Sequence, residues 1–109
     1  RVLAETAIGI APSANLNPER SFPSLFEPVH GSAPDIAGKN ISNPAAQILS
    51  GALMLRYSLN MESVATSIEK GVTAALEGGY VTGDLTTAGQ KAVGTEEFGD
   101  AVVRAIQAQ

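Results

Sequence analysis

Apolar residues recur at helical spacing in three stretches of the chain. Between Asn43 and about Tyr57, residues Ile48, Leu49, Ala52, Leu53 and Leu55 cover more than half of a helical circumference, which predicts a helix buried on most sides. Asn43-Pro44 opens it, with Asn43 as N-cap and Pro44 at the first helical position, where a missing N–H costs nothing. A second stripe, Val64, Ile68, Val72, Ala75 and Leu76, predicts an amphipathic helix capped by Asn60, with Glu62 near its positive end and Gly78-Gly79 as its stop. The third stripe, Phe98, Val102, Ala105 and Ile106, follows Thr95 as cap, with Glu96 and Glu97 in the first turn.

Upstream of the helices the pattern is extended. The first residues carry no clear period; Gly9 to Leu16 then reads as a strand interrupted by Pro12, Leu16 to Pro23 as a connection, and Ser24 to Val29 as a second strand. A Gly/Pro/Ser loop runs from there to Ser42. Tyr80 to Gly94, rich in Thr and Gly, reads as an irregular crossing with a short strand around Tyr80 to Leu85. The fold class is therefore α/β, with two or three strands and three helices. Two strands cannot form a self-sufficient sheet, and so apolar a first helix needs more cover than this chain supplies, so the unit reads as incomplete as a stand-alone domain.

Composition narrows the partners. With 109 residues, 44% of them hydrophobic, one small domain is the ceiling. A net charge of −4 and seven scattered Lys and Arg residues leave no electrostatic footprint for nucleic acid. Cysteine is absent, which excludes disulfides, thiolate metal sites and a cysteine nucleophile and is compatible with a reducing compartment. Ala45 to Leu59, the longest apolar stretch, is interrupted by Gln47, Ser50, Arg56 and Ser58 and is too short and polar to span a bilayer. No signal segment is recognised and no membrane association is expected; the expected location is cytoplasmic, with an organellar one as the alternative. Asn40-Ile41-Ser42 matches a glycosylation sequon, a three-residue pattern that recurs by chance.

The candidate chemistry lies in Phe26-Glu27-Pro28-Val29-His30-Gly31-Ser32-Ala33-Pro34-Asp35-Ile36-Ala37-Gly38-Lys39, closed by Asn43-Pro44, which joins a strand to a helix. Gly31 and Gly38 allow close backbone approach, Pro34 stiffens the middle, and Asp35 offers a bidentate acceptor for a vicinal diol. On local grounds Asp35 reads equally well as a turn carboxylate and His30 as a structural histidine. Ser32, His30 and Asp35 are too crowded in one loop for a hydrolase triad, and the Gly-Lys-Ser/Thr ending of a phosphate-binding P-loop is missing.

This run resembles the nicotinamide-cofactor loop of the metal-dependent β-decarboxylating dehydrogenases, the family of isocitrate, 3-isopropylmalate and tartrate/D-malate dehydrogenases. Ile8-Gly9-Ile10-Ala11-Pro12-Ser13-Ala14-Asn15-Leu16-Asn17-Pro18-Glu19-Arg20 looks most like the tartrate/D-malate branch, with isopropylmalate dehydrogenase second. The resemblance covers the C-terminal portion of the longer family subunits, from about Ile8 to the end, and treats the chain as a single fragment of that fold. Arg1 to Ala7 departs from the family, which usually carries a Gly-Gly pair where Thr6-Ala7 stands; a truncation, an altered gene start and an unrelated join are the three readings.

In that family the loop wraps the adenosine half of NAD, so the resemblance implies Gly31 through Asn43 as the binding segment. His30 would pack by the adenosine, Asp35 would take the ribose hydroxyls and Asn43 would sit near the adenine edge, with Ser32, Ala33, Pro34, Ile36, Ala37, Gly38 and Lys39 completing the contact. Asp84, in Thr82-Gly83-Asp84-Leu85, matches a recurrent aspartate on the adenine side, and reads equally as a turn residue. Gly83 and Thr87 stand where NADP-using isocitrate enzymes carry a tyrosine and an arginine, and Asp35 replaces their lysine; a carboxylate there would repel a 2′-phosphate, which implies NAD.

The family's Mg or Mn, its arginine clamp and its Tyr/Lys proton-transfer pair correspond to residues outside this chain, so the chain alone is expected to be inactive. The resulting expectation is the NAD-binding portion of a usually homodimeric oxidoreductase that oxidises a 2-hydroxy diacid such as tartrate, D-malate or 3-isopropylmalate. The alternative is a non-catalytic nucleotide-binding remnant or regulatory partner of such an enzyme.

Overall fold

The structure, a computed structural model, describes residues 2–4, 12–29, 32–86 and 89–109. Three short strands, β1 (Val2–Ala4), β2 (Pro12–Asn15) and β3 (Leu25–Pro28), form an antiparallel sheet in the order β1-β2-β3. In the β2–β3 ladder Pro12 faces Pro28 and Ala14 faces Phe26, so the prolines sit at one end of the pairing, where a missing donor is tolerated. β1 adds a strand among residues without a readable period, and of the strand expected over Gly9 to Leu16 the first part lies outside the described residues.

Three helices follow: α1 (Ala45–Tyr57), α2 (Glu62–Glu77) and α3 (Thr95–Gln107). Helix α1 packs against β2, β3 and α2, and α2 packs against α3. The core lies among the helices, where Phe98, Ala101 and Val102 of α3 meet Val72 and Ala75 of α2 and Ala45 of α1. Phe98 is fully buried, and burying such a side chain stabilises by about 1.5–3 kcal/mol. Gly71 permits the α2–α3 approach: a Cβ there would stand 2.6 Å from Ile106 Cγ1.

Helix α1 is less buried than its sequence predicts. Its fully covered positions are the small residues Ala45, Ala46, Ser50 and Ala52, whereas Ile48, Leu49, Leu53 and Leu55 are half-buried and Met54 and Tyr57 exposed. A helix apolar all round needs neighbours all round, and the sheet and α2 cover only part of it. On α2 the buried line runs through Ala65, Gly71, Val72 and Ala75, and Val64 at its edge is 40% exposed.

The helix caps differ in part from the sequence reading. Asn60 does not cap α2; Met61 flanks it without a side-chain cap, and Asn60, at φ 54°, turns the chain out of α1 so that the Met61 N–H reaches the Leu55 carbonyl at 2.8 Å. The stop at Gly78-Gly79 is a Schellman motif: Gly79, at φ 89°, donates to the Leu76 carbonyl and Tyr80 to the Ala75 carbonyl. The short strand expected around Tyr80 to Leu85 is absent. Gly83–Leu85 forms a 3₁₀ turn instead, because the Thr82 hydroxyl donates to the Asp84 carboxylate and offers the backbone a local alternative to a ladder. Thr95, like Asn60, does not cap the helix it was expected to cap.

Arg56 ties α1 to α2. Its guanidinium meets Glu69 in a two-pronged contact, Nη1 to Oε2 at 2.7 Å and Nη2 to Oε1 at 2.6 Å, while Nε donates to Glu62 Oε1 at 2.9 Å. These hydrogen bonds hold the Glu69 carboxyl below its ordinary range, against a smaller opposing effect of burial, and raise Arg56 above its own. A carboxylate depressed in the folded state contributes stability above its unfolded pKa and loses it as pH falls through the folded one. Glu69→Gln should therefore lower stability at pH 7, by on the order of 0.5–1 kcal/mol for so exposed a pair, and converge with wild type as pH falls below about 4. Thermal melts across pH 3–7 check this; parallel curves would remove Glu69 from the account.

Candidate functional site: a cleft between the loop and helix α3

The loop from Ser32 to Asn43 is built from successive tight turns. Ala33, Gly38 and Asn40 take positive φ values of 45°, 78° and 56°, and the Ile36 and Lys39 N–H groups donate to the Ala33 and Ile36 carbonyls at 3.1 and 3.2 Å. Gly38 suits its position by lacking a Cβ, and Asn40 by the tolerance of short amide side chains for the left-handed region. Ala33 has neither advantage and carries local strain.

Both sides of the loop's far end are pinned. Asn43, 9% exposed, is held at both ends of its amide: Oδ1 accepts the Ala45 N–H at 2.9 Å, and Nδ2 donates to Asp84 Oδ2 at 3.1 Å. The first bond gives Asn43 a capping contact at the start of α1, but Pro44, expected at the first helical position, is the flanking residue and the helix begins one residue later, at Ala45. The other Asp84 oxygen accepts the fully buried Thr82 hydroxyl. Asp84 and Asn43, 41 residues apart, are thereby joined.

At the other wall, Thr95 is the first residue of α3 rather than its cap, and Gly94 flanks it. The cap comes from the loop. The Asn40 carbonyl accepts the Thr95 N–H at 3.1 Å, Asn40 Oδ1 accepts the Glu96 N–H at 3.0 Å, and the Thr95 hydroxyl donates to the Ser42 carbonyl.

Loop, 3₁₀ turn and α3 enclose a cleft of about 860 Å³ lined by Ser32, Ala33, Ile36, Ala37, Gly38, Asn40, Ile41, Ser42, Asn43, Gly83, Asp84, Thr95 and Glu96. Its size falls within the range of small-molecule sites, about 300–1,000 Å³, and its apolar alanines and isoleucines beside amide, hydroxyl and carboxylate groups suit a flat heterocycle with polar edges. Of the residues named from sequence, Ser32, Ala33, Ile36, Ala37, Gly38, Asn43 and Asp84 line it. Pro34, Asp35 and Lys39 stand outside the lining, with Asp35 exposed on the turn, and His30, Gly31 and Thr87 lie outside the described residues. Asn40, Ile41, Ser42, Thr95 and Glu96 complete the lining without any local sequence signal for such a role, the sequon pattern of Asn40-Ile41-Ser42 pointing elsewhere. A second cavity of about 520 Å³, between the β2–β3 connection and the end of α1, is lined by Arg20, Phe22 and Tyr57 among others and contains none of the candidate residues.

Among the described residues no group of three or more His, Asp or Glu side chains is placed to hold a metal ion, and no helix is long and apolar enough to cross a membrane. Among the described residues, then, no donor set fits the divalent ion that the resemblance implies.

The profile of the isocitrate/isopropylmalate dehydrogenase family matches residues 3–102. The chain belongs to this family. It is 57% identical over 100 residues to a 3-isopropylmalate dehydrogenase of Desulfitobacterium hafniense and 51% identical to one of Thermosynechococcus vestitus, each match covering 92% of this chain. Its fold matches the crystal structure of isocitrate dehydrogenase from Methylococcus capsulatus with a TM-score of 0.80 at 39% identity, covering 92% of this chain and 28% of that one. The TT0538 protein of Thermus thermophilus matches at 0.80 and 41%, covering 91% and 19%. The chain spans 28% of the Desulfitobacterium relative and 27% of the Thermosynechococcus one. It is thus an oxidoreductase-family chain, and its α/β fold is a portion of the family's fold.

Asp84→Ala should leave the buried Thr82 hydroxyl and one Asn43 N–H without partners, costing about 1–3 kcal/mol, with Asp84→Asn intermediate because it keeps one acceptor. Denaturant unfolding of the three proteins checks the order; equal midpoints would show the network to be incidental.

Proposed function

We propose that this chain supplies the adenosine-binding part of an NAD-dependent dehydrogenase of 2-hydroxy diacids, the cofactor lying in the cleft between the 32–43 loop and α3. The observation that carries the reading is the meeting, in one cleft, of the loop that resembles the family's cofactor segment with Asp84 from a distant turn, joined by the Asn43–Asp84 hydrogen bond. Ile36 and Ala37 offer an apolar surface to the adenine, and Asn43, whose amide is already oriented by two bonds, presents a fixed polar edge. Asp35 belongs to the same turn as these lining residues and would take the ribose hydroxyls. Carboxylates of Asp84 and Glu96 line the cleft and that of Asp35 lies on the adjoining turn, and this negative charge disfavours a 2′-phosphate, which supports NAD over NADP.

NAD, when bound, supplies the hydride acceptor; this chain binds and orients its adenosine end. The substrate-clamping and proton-transfer groups, and a divalent metal, would come from elsewhere in a longer subunit, itself a homodimer as the family generally is. The identities of 51–57% to 3-isopropylmalate dehydrogenases make 3-isopropylmalate the first substrate to test, with tartrate and D-malate beside it. Should NAD bind without turnover of any such acid, the reading as a nucleotide-binding regulatory partner takes its place.

In a full-length subunit carrying this segment, assayed with Mn, Asp35→Ala should weaken NAD use roughly ten- to a hundredfold, the cost of about 1.5–3 kcal/mol for a charged hydrogen bond. Asp35→Lys with Gly83→Tyr and Thr87→Arg should move preference toward NADP. The measurement is kcat/KM with each cofactor over the three acids. A wild type that prefers NADP, or an Asp35→Ala variant with unchanged NAD use, would contradict the role given to Asp35.

A further inference from the structure

We propose that Asn40 is a positioning residue of the adenosine cleft, latching the loop to the first turn of α3 so that the two walls keep the spacing the cofactor needs. The proposal rests on the reading of the cleft given above and goes beyond it by naming what holds the cleft's shape.

A helix leaves its first N–H groups unpaired, and two of those of α3 are taken by one residue 55 and 56 positions earlier: Thr95 N–H by the Asn40 carbonyl, Glu96 N–H by Asn40 Oδ1. The left-handed backbone of Asn40, at φ 56°, accompanies this arrangement of carbonyl and side chain at the same helix end. The fit is close. A Cβ on Gly94 would lie 2.7 Å from Asn40 Nδ2 and 3.0 Å from its carbonyl oxygen, although Gly94 itself, at φ −79°, has a backbone any residue adopts. Gly94 is thus required by contact, not by conformation.

What separates a latch from an ordinary packing contact is where the burial lies. Helix α3 is anchored to the core by Phe98, Ala101 and Val102, one turn further on, whereas Asn40, Ile41 and Ser42 are exposed. The hydrogen bonds therefore add little apolar burial and act on the distance between the loop and the α3 wall. Asn40, Ser42, Thr95 and Glu96 all line the cleft, so loosening them changes its width directly. Two of the α3 amides are occupied by the loop, which favours the uncharged nucleoside over a phosphate at the helix end.

The test uses the full-length subunit carrying this segment, with NAD kinetics and ADP-ribose binding by calorimetry. Asn40→Gly keeps the backbone conformation and the carbonyl bond but deletes the side-chain acceptor; Gly94→Ala pushes the same side chain away; Asn40→Asp restores the acceptor. Asn40→Gly and Gly94→Ala should each raise the NAD KM and the ADP-ribose Kd about fivefold, equivalent to about 1 kcal/mol, with kcat within about twofold. The double variant should be no worse than the more severe single one, because both act on one contact. Asn40→Asp should recover binding to within about twofold of wild type, and Glu69→Gln, remote from the cleft, should leave KM unchanged. Wild-type NAD and ADP-ribose affinities in the glycine variant, or a fall in kcat alone, would overturn the latch while leaving the cleft reading intact. A wild-type subunit without saturable ADP-ribose binding would overturn both.

Discussion

A helix must find acceptors for its first amides, and helix α3 takes two of them from a loop more than fifty residues away. That requirement gives the 32–43 loop its place. The Asn40 carbonyl and side chain fix one wall, Asn43 fixes the other through Asp84, and the space left between them is the cleft. Were α3 capped locally by its own Thr95, the loop would lose this attachment and the family segment would lack a defined partner surface. A local capping problem is thus solved by a long-range contact, and the solution brings the candidate site residues together.

The helical layer makes this possible. Phe98, Ala101 and Val102 seat α3 against α2, Gly71 allows the two helices to approach, and the Arg56–Glu69 fork holds α2 to α1 at the other side. Asn43 stands two residues before α1 and accepts the Ala45 N–H, so the pinned end of the loop runs straight into a helix that is itself fixed to the sheet and to α2. The half-buried leucines of α1 show that this layer has apolar surface to spare, while its small residues are fully enclosed. The site is therefore mounted on helices that are fixed to one another through α2.

The helices were legible because their apolar stripes have a clear period: Phe98 and Val102 on α3, Val72 and Ala75 on α2. The loop was legible because Gly, Pro and Asp occur there in a specific order that resembles one family, to which the chain belongs. The capping pattern was not. Asn60 and Thr95 have the composition of N-caps, yet the first turns the chain out of α1 and the second bonds Ser42, because capping side chains serve whichever backbone group the tertiary fold presents. Asn40 could not have been found from spacing, since its partners are remote in sequence. The strand misread around Tyr80 to Leu85 has a local cause, the bond between Thr82 and Asp84, which a count of β-formers does not register.

The central claim, that the loop is docked on α3, can be read directly from hydrogen exchange at the start of that helix. Helix α2 begins without a side-chain cap, so its Glu62 and Ser63 amides provide an internal reference for an unassisted first turn. If Asn40 holds the loop in place, the Thr95 and Glu96 amides should exchange at least about tenfold more slowly than that pair. Exchange of Thr95 and Glu96 at the rate of Glu62 and Ser63 would mean that the loop is not held there, and the cleft would lose its second wall.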